Sequence, residues 1–281
     1  MSLASGILKR LYIAKSLGVP WSDITITRIG DPVHGKPSYQ PSKGTPPPLD
    51  FNVTHQAGLV ALLGAPAPLD VGVDVVCVNE RDDWRTIDQK GWEGWVDVYE
   101  DFFSDEELWD MKYTLPEGVY LLDGTHVSAE RLGRHDRVVQ RDRTLKVTLE
   151  NGQTREFNSD CIIEAKLRRF YTFWCYKEAY IKLTGEAMMA PWLRNVEFKG
   201  VKAPRPGTVA RCSTHGVWGE RVTDVEVWLH GKQVEGVRME IQALEEQYMV
   251  AVAVKGESNS EEIKWESLNL ERDIMDFIRK Q

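Results

Sequence analysis

The sequence predicts an α+β fold, in which helices and antiparallel strands occupy separate stretches of the chain. Apolar residues at helical spacing occupy residues 2–18 and 170–187. Residues 69–78, LDVGVDVVCV, form a nearly continuous apolar run that is typical of a buried strand. Further apolar runs, which we expect to form consecutive antiparallel strands, lie at 225–229, 237–244 and 248–254.

The remaining elements of the first part follow from local signals. Residues 23–30 alternate like a strand, whereas residues 31–50 are rich in Pro, Gly and Ser and predict a loop. Two strand-like pieces, 51–55 and 58–64, flank a polar turn. Residues 79–101 are acidic and rich in Trp and Asp, and they show no clear period.

The middle and end of the chain carry two strong local signals. Ser104 and Glu107 have the spacing of a capping box, which predicts a helix over 102–112. Alternation around Asn151-Gly152 predicts a hairpin. We expect residues 115–160 to be an exposed insertion and residues 258–281 to be a tail that contains a last helix.

Composition and missing motifs exclude several classes of protein. The net charge of −8 argues against a general nucleic-acid binder, and no run of eighteen apolar residues predicts a membrane span. The first residues place Lys9, Arg10 and Lys15 inside the apolar pattern, unlike a secretory signal. We expect a cytoplasmic protein whose four cysteines are reduced thiols. The sequence has no P-loop, no G-x-S-x-G elbow and no H-E-x-x-H pair.

Charged groups lie within the most aromatic helix. Tyr171, Trp174 and Glu178 share one face of that helix, and Lys177 interrupts the neighbouring apolar stripe. One interpretation is structural: Glu178 pairs with Lys182 one turn later, and the stem of Lys177 lies along apolar surface. The other is that these groups line a site.

Asp74 is an ionisable group in a strand that is otherwise apolar on both faces. A buried carboxylate is costly without a partner, so it belongs either to a structural salt bridge, to a strand-end cap or to a site. His55 and Gln56 are either turn residues or further site groups.

Taken together, these groups suggest metal-assisted phosphoryl transfer. Two carboxylates, one from a strand and one from a helix, are ligands that Mg²⁺ accepts alongside water and substrate phosphates. The basic side chains that would bind a polyanion such as a pyrophosphate are Lys36, His55, Lys177 and Lys182.

Four stretches resemble, in order, the motifs of the Sfp-type 4′-phosphopantetheinyl transferases, with the fungal branch closest. They are FNVTHQAG, GVDVV, FFSDEE and FWCYKEAYIKLTGEA, and HGKP (34–37) matches the basic motif that precedes them. The pattern W-x-x-K-E-x-x-x-K, which begins at Trp174, is the most specific part. The resemblance covers about residues 2 to 255, apart from the insertion.

The resemblance implies an enzyme that moves the phosphopantetheine arm of coenzyme A onto a serine of an apo carrier protein, releasing 3′,5′-ADP. It also implies two similar α+β halves related by a pseudo-twofold axis, with the site between them. We therefore expect a first half over 1–70, short at its N-terminus, a second half over 71–257 that holds the insertion, and the tail.

Residue roles carried over from the family are as follows. Asp74 and Glu178 match the Mg²⁺ ligands, and Glu178 is also the expected base that activates the carrier serine, directly or through water. Lys177 and Lys182 match phosphate-contacting lysines. Lys36, Thr54 and His55 match coenzyme-binding positions, and Arg10 falls near an arginine that holds the nucleotide end.

Two departures separate this chain from the family pattern. Many bacterial members read G-x-D-x-E, whereas Val76 stands here in place of the second carboxylate, so water or Gln56 would complete the metal shell. Members usually carry a further segment before the first helix. The alternative function is therefore a truncated, non-catalytic remnant that binds coenzyme A or a carrier without transfer; another is a different Mg²⁺-dependent phosphotransferase.

The expected partners are apo carrier domains of acyl, peptidyl and aminoadipate reductase type, which in fungi serve polyketide, nonribosomal peptide and lysine biosynthesis. We expect a monomer that binds neither nucleic acid nor membrane. Lys166, Arg168 and Arg169 suggest a carrier-contacting patch, or else simply a solvated basic helix start.

Overall fold

The computed structural model describes residues 3–30, 35–80, 82–121, 123–133, 141–186, 190–207, 216–256 and 262–280. Helices and strands occupy separate blocks of this part of the chain, and its paired strands are all antiparallel. The predicted α+β class is therefore confirmed. None of the described helices is long and apolar enough to cross a membrane.

The helices are α1 Leu3–Leu17, α2 Asp83–Asp97, α3 Asp105–Tyr113, α4 Asp160–Thr184 and α5 Asp276–Arg279, with a π-helical turn at Leu270–Met275. The strands are β1 Ile26–Ile29, β2 Lys36–Tyr39, β3 Leu49–Gln56, β4 Leu59–Pro66, β5 Asp70–Cys77, β6 Val119–Tyr120, β7 His126–Val127, β8 Thr144–Thr148, β9 Thr154–Asn158, β10 Val196–Lys199, β11 Trp218–Val222, β12 Glu226–Leu229, β13 Lys232–Gln233, β14 Val237–Leu244 and β15 Tyr248–Lys255.

The central sheet has four strands in the order β11-β14-β15-β5. Its strand β5 alternates as expected: Val71, Val73 and Val75 pack into one apolar cluster, whereas Val76 packs into the larger cluster that contains α4. The buried helix α4 therefore covers one face of the sheet. The β3/β4 hairpin lies beside β5, and α1 packs on that hairpin.

The predicted loop over 31–50 and the stretch without a clear period over 79–101 both contain regular structure. Within 31–50, residues Lys36–Tyr39 form β2, which is stabilised by antiparallel pairing with β1. Within 79–101, Asp83–Asp97 forms α2, and its period was hidden because Gly91, at φ 73° and ψ 171°, kinks the helix.

The insertion and the tail also differ from expectation. The hairpin around Asn151-Gly152 forms as β8 and β9, but several apolar side chains between 115 and 160 pack into the main core instead of standing in solvent. In the tail, helical turns are confined to 270–279, and the described residues before them form neither helix nor strand.

The cysteines behave as small apolar side chains. Cys77 and Cys175 are buried, Cys161 is half-buried, and all three are free thiols. Burial raises the pKa of the Cys175 thiol well above its usual value. Cys212 lies outside the described residues.

Candidate functional site

A cleft of about 500 Å³ lies where β3, β5 and α4 meet. Its lining consists of the end of β3 with the following turn, the middle of β5, the start of the next loop and one face of α4. These residues are Val53, Thr54, His55, Gln56, Ala57, Asp74, Val75, Glu80, Trp174, Glu178 and Lys182. The cleft thus brings together six of the residues predicted for the site: Thr54, His55, Gln56, Asp74, Glu178 and Lys182.

Gly72 sets the depth of this cleft. A Cβ atom at this position would lie 2.2 Å from the carbonyl oxygen of Ala179 and 2.5 Å from the nitrogen of Leu183. Only glycine therefore lets α4 approach β5 this closely. Because Asp74 is two residues further along β5, the same close packing brings it to the helix face that carries Glu178.

One face of α4 forms a wall of the cleft. Trp174, Glu178 and Lys182 follow one another at intervals of four residues and therefore lie along the same side of the helix. The Trp174 ring packs against Tyr99 and Phe102, with centroid distances of 5.6 Å in both cases. The aromatic groups thus support the helix face on which the two charged side chains lie.

Asp74 is buried and has two side-chain donors. Its Oδ1 atom accepts a hydrogen bond from the Thr54 hydroxyl at 2.9 Å and another from the Lys182 ammonium at 2.7 Å. Thr54 in turn accepts the backbone N–H of Val75 at 3.2 Å. The second carboxylate oxygen, Oδ2, accepts no hydrogen bond from the part of the chain that the structure describes.

Polar side chains on one side of β3 bind the neighbouring strand and helix. They take the place of a strand ladder along the edge of β5, so that the edge N–H groups are satisfied and β3 is held beside β5. The bonds are Val71 N–H to Asp50 Oδ2 at 2.7 Å, Val75 N–H to Thr54 Oγ1 at 3.2 Å, Cys77 N–H to Gln56 Oε1 at 3.2 Å, and Asn52 Nδ2 to the Lys182 carbonyl at 3.3 Å.

The residues of the cleft fit a hard divalent cation. Asp74 presents its Oδ2 atom and Glu178 a second carboxylate in the same cleft. Oxygen ligands of this kind suit Mg²⁺, which keeps several waters and is held by one or two carboxylates with substrate phosphates. Among the described residues no group of three or more His, Cys, Asp or Glu side chains could hold a metal, so such an ion would depend on water and substrate oxygens as well.

Gln56 lies in the cleft, but its amide oxygen already accepts the Cys77 N–H. Val76 is not among the residues that line the cleft and packs into the apolar cluster that contains α4. The oxygen of Gln56 therefore holds the strand edge, and its role as a metal ligand stays a prediction.

Lys177 does not lie in the cleft. Its side chain is 3% exposed, and its ammonium donates to Glu107 Oε2 at 2.9 Å and to the carbonyl oxygens of Phe102, Leu193 and Val196 at 2.8, 3.3 and 2.9 Å. All three of its protons are engaged in the core. The structure therefore gives Lys177 a structural position, in place of the phosphate contact that the sequence suggested.

Lys36 is not among the residues that line the cleft, and it lies next to the seam between β3 and β5. Its ammonium is paired with Asp50, whose Oδ2 also accepts the Val71 N–H. A Cβ atom added to Gly185, the residue just after α4, would lie 3.6 Å from the Lys36 side chain. Lys36 is therefore positioned between the hairpins and the end of α4, with Asp50 as its partner.

Arg10 lines a second cavity of about 420 Å³ between α1, β1 and β2. Lys9 and Arg28 also line it, so three cationic side chains meet there. Burial lowers the pKa of Lys9, and the neighbouring charges of Arg28 and Arg10 lower it further. The three cationic side chains suit the binding of an anion in this cavity.

The prediction that Lys166, Arg168 and Arg169 form an exposed carrier-contacting patch is wrong. Lys166 and Arg169 are buried, because α4 is surrounded by core on nearly all sides. Arg169 pairs with Asp110 and with Glu117. Arg168 donates to the Pro204 carbonyl, and burial lowers its pKa to about 10. Burial likewise lowers the pKa of Lys166 to about 8.

Two charged residues that hold neighbouring groups in place, Glu80 and Asp50, were not predicted from the sequence. Glu80 lines the cleft and accepts the Ala57 N–H at 3.2 Å, which fixes the turn after His55. Asp50 holds Lys36. The alternation of polar residues along β3 could have indicated Asp50, whereas Glu80 lies after its strand, in a stretch without a clear pattern.

Comparisons with known proteins agree on one family. A family model described as "4'-phosphopantetheinyl transferase, N-terminal" matches residues 1–67. A 4′-phosphopantetheinyl transferase of Aureobasidium melanogenum is 57% identical over 283 residues, which cover 99% of this chain and 83% of that relative. The 4′-phosphopantetheinyl transferase A of Aspergillus fumigatus is 35% identical, covering 91% of this chain and 71% of its own.

A human relative matches a shorter stretch. The L-aminoadipate-semialdehyde dehydrogenase-phosphopantetheinyl transferase of Homo sapiens is 35% identical over 77 residues, which cover 27% of this chain and 23% of the human protein.

Proposed function

Because the chain belongs to the 4′-phosphopantetheinyl transferase family and is a transferase, we propose that it transfers the 4′-phosphopantetheine arm of coenzyme A. The acceptor is a serine of an apo carrier protein, and the second product is 3′,5′-ADP. The observation that carries the proposal is the convergence of Asp74, Glu178, Lys182, Thr54 and His55 in one cleft.

The proposed site includes Mg²⁺, held by Asp74 and Glu178. The ion would offset the negative charge of the pyrophosphate as the phosphoryl group is transferred. Thr54 and Lys182 donate to the Asp74 Oδ1 atom in the metal-free structure, and Oδ2 is the oxygen that would bind the ion. The aromatic wall at Trp174 limits access of bulk water and strengthens these electrostatic interactions.

Glu178 is the proposed base. It lies on the cleft wall, where a carrier serine can reach it, and would accept the hydroxyl proton directly or through water. The oxygen of that serine then attacks the β-phosphorus of coenzyme A, and the bond to the 3′,5′-ADP oxygen breaks.

Coenzyme A would extend from this cleft to the second cavity. Lys182 and His55 would contact the pyrophosphate, and Lys36 would be a further coenzyme-binding residue. The cationic group around Arg10 suits the phosphorylated nucleotide end. In this proposal, residues 1–70 and 71–257 form two similar halves of the fold, with the site between them.

The partner classes also remain proposals. The relatives' names support carrier modification, and the human relative's name fits a carrier of aminoadipate reductase type. We also propose that the protein is a cytoplasmic monomer that binds neither nucleic acid nor membranes.

Intact-mass spectrometry of an apo carrier protein tests the function. The carrier is mixed with this chain, coenzyme A and Mg²⁺. We expect a mass gain of one phosphopantetheine arm that disappears with EDTA. In Glu178→Gln and Asp74→Asn the rate should fall by about 100-fold or more, because a base and a metal ligand are lost.

Asp70→Asn is the matched control, because Asp70 lies on the same strand as Asp74 and is exposed. It should retain the full rate. A folded wild-type chain that binds coenzyme A without modifying the carrier would support the non-catalytic alternative instead. Full activity in both site variants would contradict the assignment of Asp74 and Glu178.

A further inference from the structure

In the metal-free structure, the Lys182 ammonium supplies the positive charge that offsets the Asp74 carboxylate. Its ammonium lies 2.7 Å from Asp74 Oδ1, and it is the only ionic partner of Asp74 within the part of the chain that the structure describes. The Asp74 side chain is 9% exposed and that of Lys182 is 27% exposed. A nearly buried carboxylate is thus neutralised by a lysine at the mouth of the cleft.

The same carboxylate is the proposed ligand of the divalent ion. A Mg²⁺ ion bound to Asp74 would lie about 2.0–2.1 Å from a carboxylate oxygen. With the ammonium on the neighbouring oxygen, two cations would face each other across one carboxylate group. Their repulsion is strong in a partly buried site, because little water screens it.

Lys182 is able to move away without disturbing the fold. Its side chain is flexible and carries rotatable donors. Its backbone carbonyl is held by Asn52 at 3.3 Å, so the helix stays anchored when the side chain changes partner. Thr54 continues to donate to Asp74 Oδ1.

We propose that Lys182 is the resident counterion of Asp74 and weakens metal binding until a polyphosphate draws the ammonium away. The part of this inference that concerns coenzyme A rests on the proposed function. Metal and coenzyme A then bind with positive coupling, and the coupling is reciprocal because the two binding equilibria are linked. Lys182 therefore acts as a positioning residue for loading the site.

Mn²⁺ titration of the coenzyme-free protein, with free Mn²⁺ counted by electron paramagnetic resonance, tests the inference. Lys182→Met should bind Mn²⁺ about tenfold more tightly than wild type, because the competing charge is gone. Lys182→Gln, which keeps a donor without the charge, should show the same gain. Lys182→Arg keeps the charge and should bind Mn²⁺ as weakly as wild type.

A double variant tests whether the tighter Mn²⁺ binding depends on the Asp74 carboxylate. In Asp74→Asn/Lys182→Met the tighter binding should be lost. Circular dichroism confirms that each variant is folded. Unchanged or weaker Mn²⁺ binding in folded Lys182→Met and Lys182→Gln would overturn the inference.

The second measurement is the effect of coenzyme A on Mn²⁺ binding. It should tighten Mn²⁺ binding to wild type by about fivefold or more, and this coupling should be much smaller in Lys182→Met. Equal coupling in the two proteins would overturn the loading role. The coenzyme-free titration is independent of catalysis, so absent carrier modification would contradict the proposed function while leaving the counterion role of Lys182 testable.

Discussion

At the scale of single residues, the buried pair of Lys177 and Glu107 connects three elements. Glu107 closes the capping box of α3 with Ser104 and accepts the Phe198 N–H at 3.0 Å from β10. Lys177 binds it from α4 at 2.9 Å. Burial raises the pKa of Glu107 and lowers the pKa of Lys177, so the cost of burying both charges is large and their mutual attraction only partly offsets it.

Lys177→Met should therefore lower the free energy of unfolding by about 3–5 kcal/mol, because the buried Glu107 would lose its counterion. Urea unfolding followed by circular dichroism measures this loss. Glu107→Gln/Lys177→Met should lose less than Lys177→Met alone, because no buried charge remains.

Lys90→Met, at an exposed lysine of α2, is the control and should be nearly neutral. A loss below about 1 kcal/mol in Lys177→Met would be the size of an exposed pair and would contradict the structural position of Lys177.

At the scale of elements, the site depends on how closely α4 packs on β5. The backbone carbonyl of Ala179 occupies the space that a Cβ at Gly72 would need. Glu178 is the residue before Ala179, and Asp74 is two residues after Gly72. The distance between helix and strand therefore sets the distance between the two carboxylates.

Gly72→Ala should lower the free energy of unfolding by about 1–3 kcal/mol, because the helix must move away from the strand. It should also weaken Mn²⁺ binding, because the carboxylates separate. Thermal unfolding and Mn²⁺ titration measure the two effects.

Gly6→Ala is the matched control. Gly6 lies in α1 with nothing within 4 Å of an added Cβ, so the change should be neutral or slightly stabilising. Unchanged stability in Gly72→Ala would mean that the close approach of α4 is not required.

At the scale of the whole molecule, the tail joins two apolar clusters. Trp265 stacks on Trp218 of β11 at 5.7 Å and 13°, and Glu262 pairs with Arg221. Further along, Phe277 packs against the cluster formed by α1 and the first strands. The tail thus runs from the central sheet to α1 and covers apolar surface on both.

Phe277→Ala should loosen α1 while leaving the central sheet intact, because only the α1 cluster loses a packed ring. Hydrogen exchange should speed up for α1 amides by about tenfold, which corresponds to about 1.4 kcal/mol of local stability. Amides of β14 and β15 should exchange as in wild type.

Leu270→Ala is the control for the same segment, since Leu270 is 60% exposed. It should change neither region. Unchanged exchange in α1 of Phe277→Ala would show that the tail contact contributes nothing to that cluster.

The sequence by itself determined the fold class and much of the cleft. Alternation placed Asp74 on the same face of β5 as Gly72 and Val76, and helical spacing placed Trp174 and Glu178 on one face of α4. The capping box at Ser104 and the hairpin at Gly152 were also predictable, because their signals are local. The resemblance to the phosphopantetheinyl transferases, which the comparisons confirm, rested on the same stretches.

Only the tertiary structure decided which charged groups are accessible. Lys177 and Glu178 are neighbours in sequence, yet one is in the core and the other in the cleft, because successive helix residues point about 100° apart. Periodicity shows which residues share a face, but not what packs against that face. The burial of Lys166 and the pairing of Lys182 with Asp74 depend on elements distant in sequence, and local patterns carry no information about such contacts.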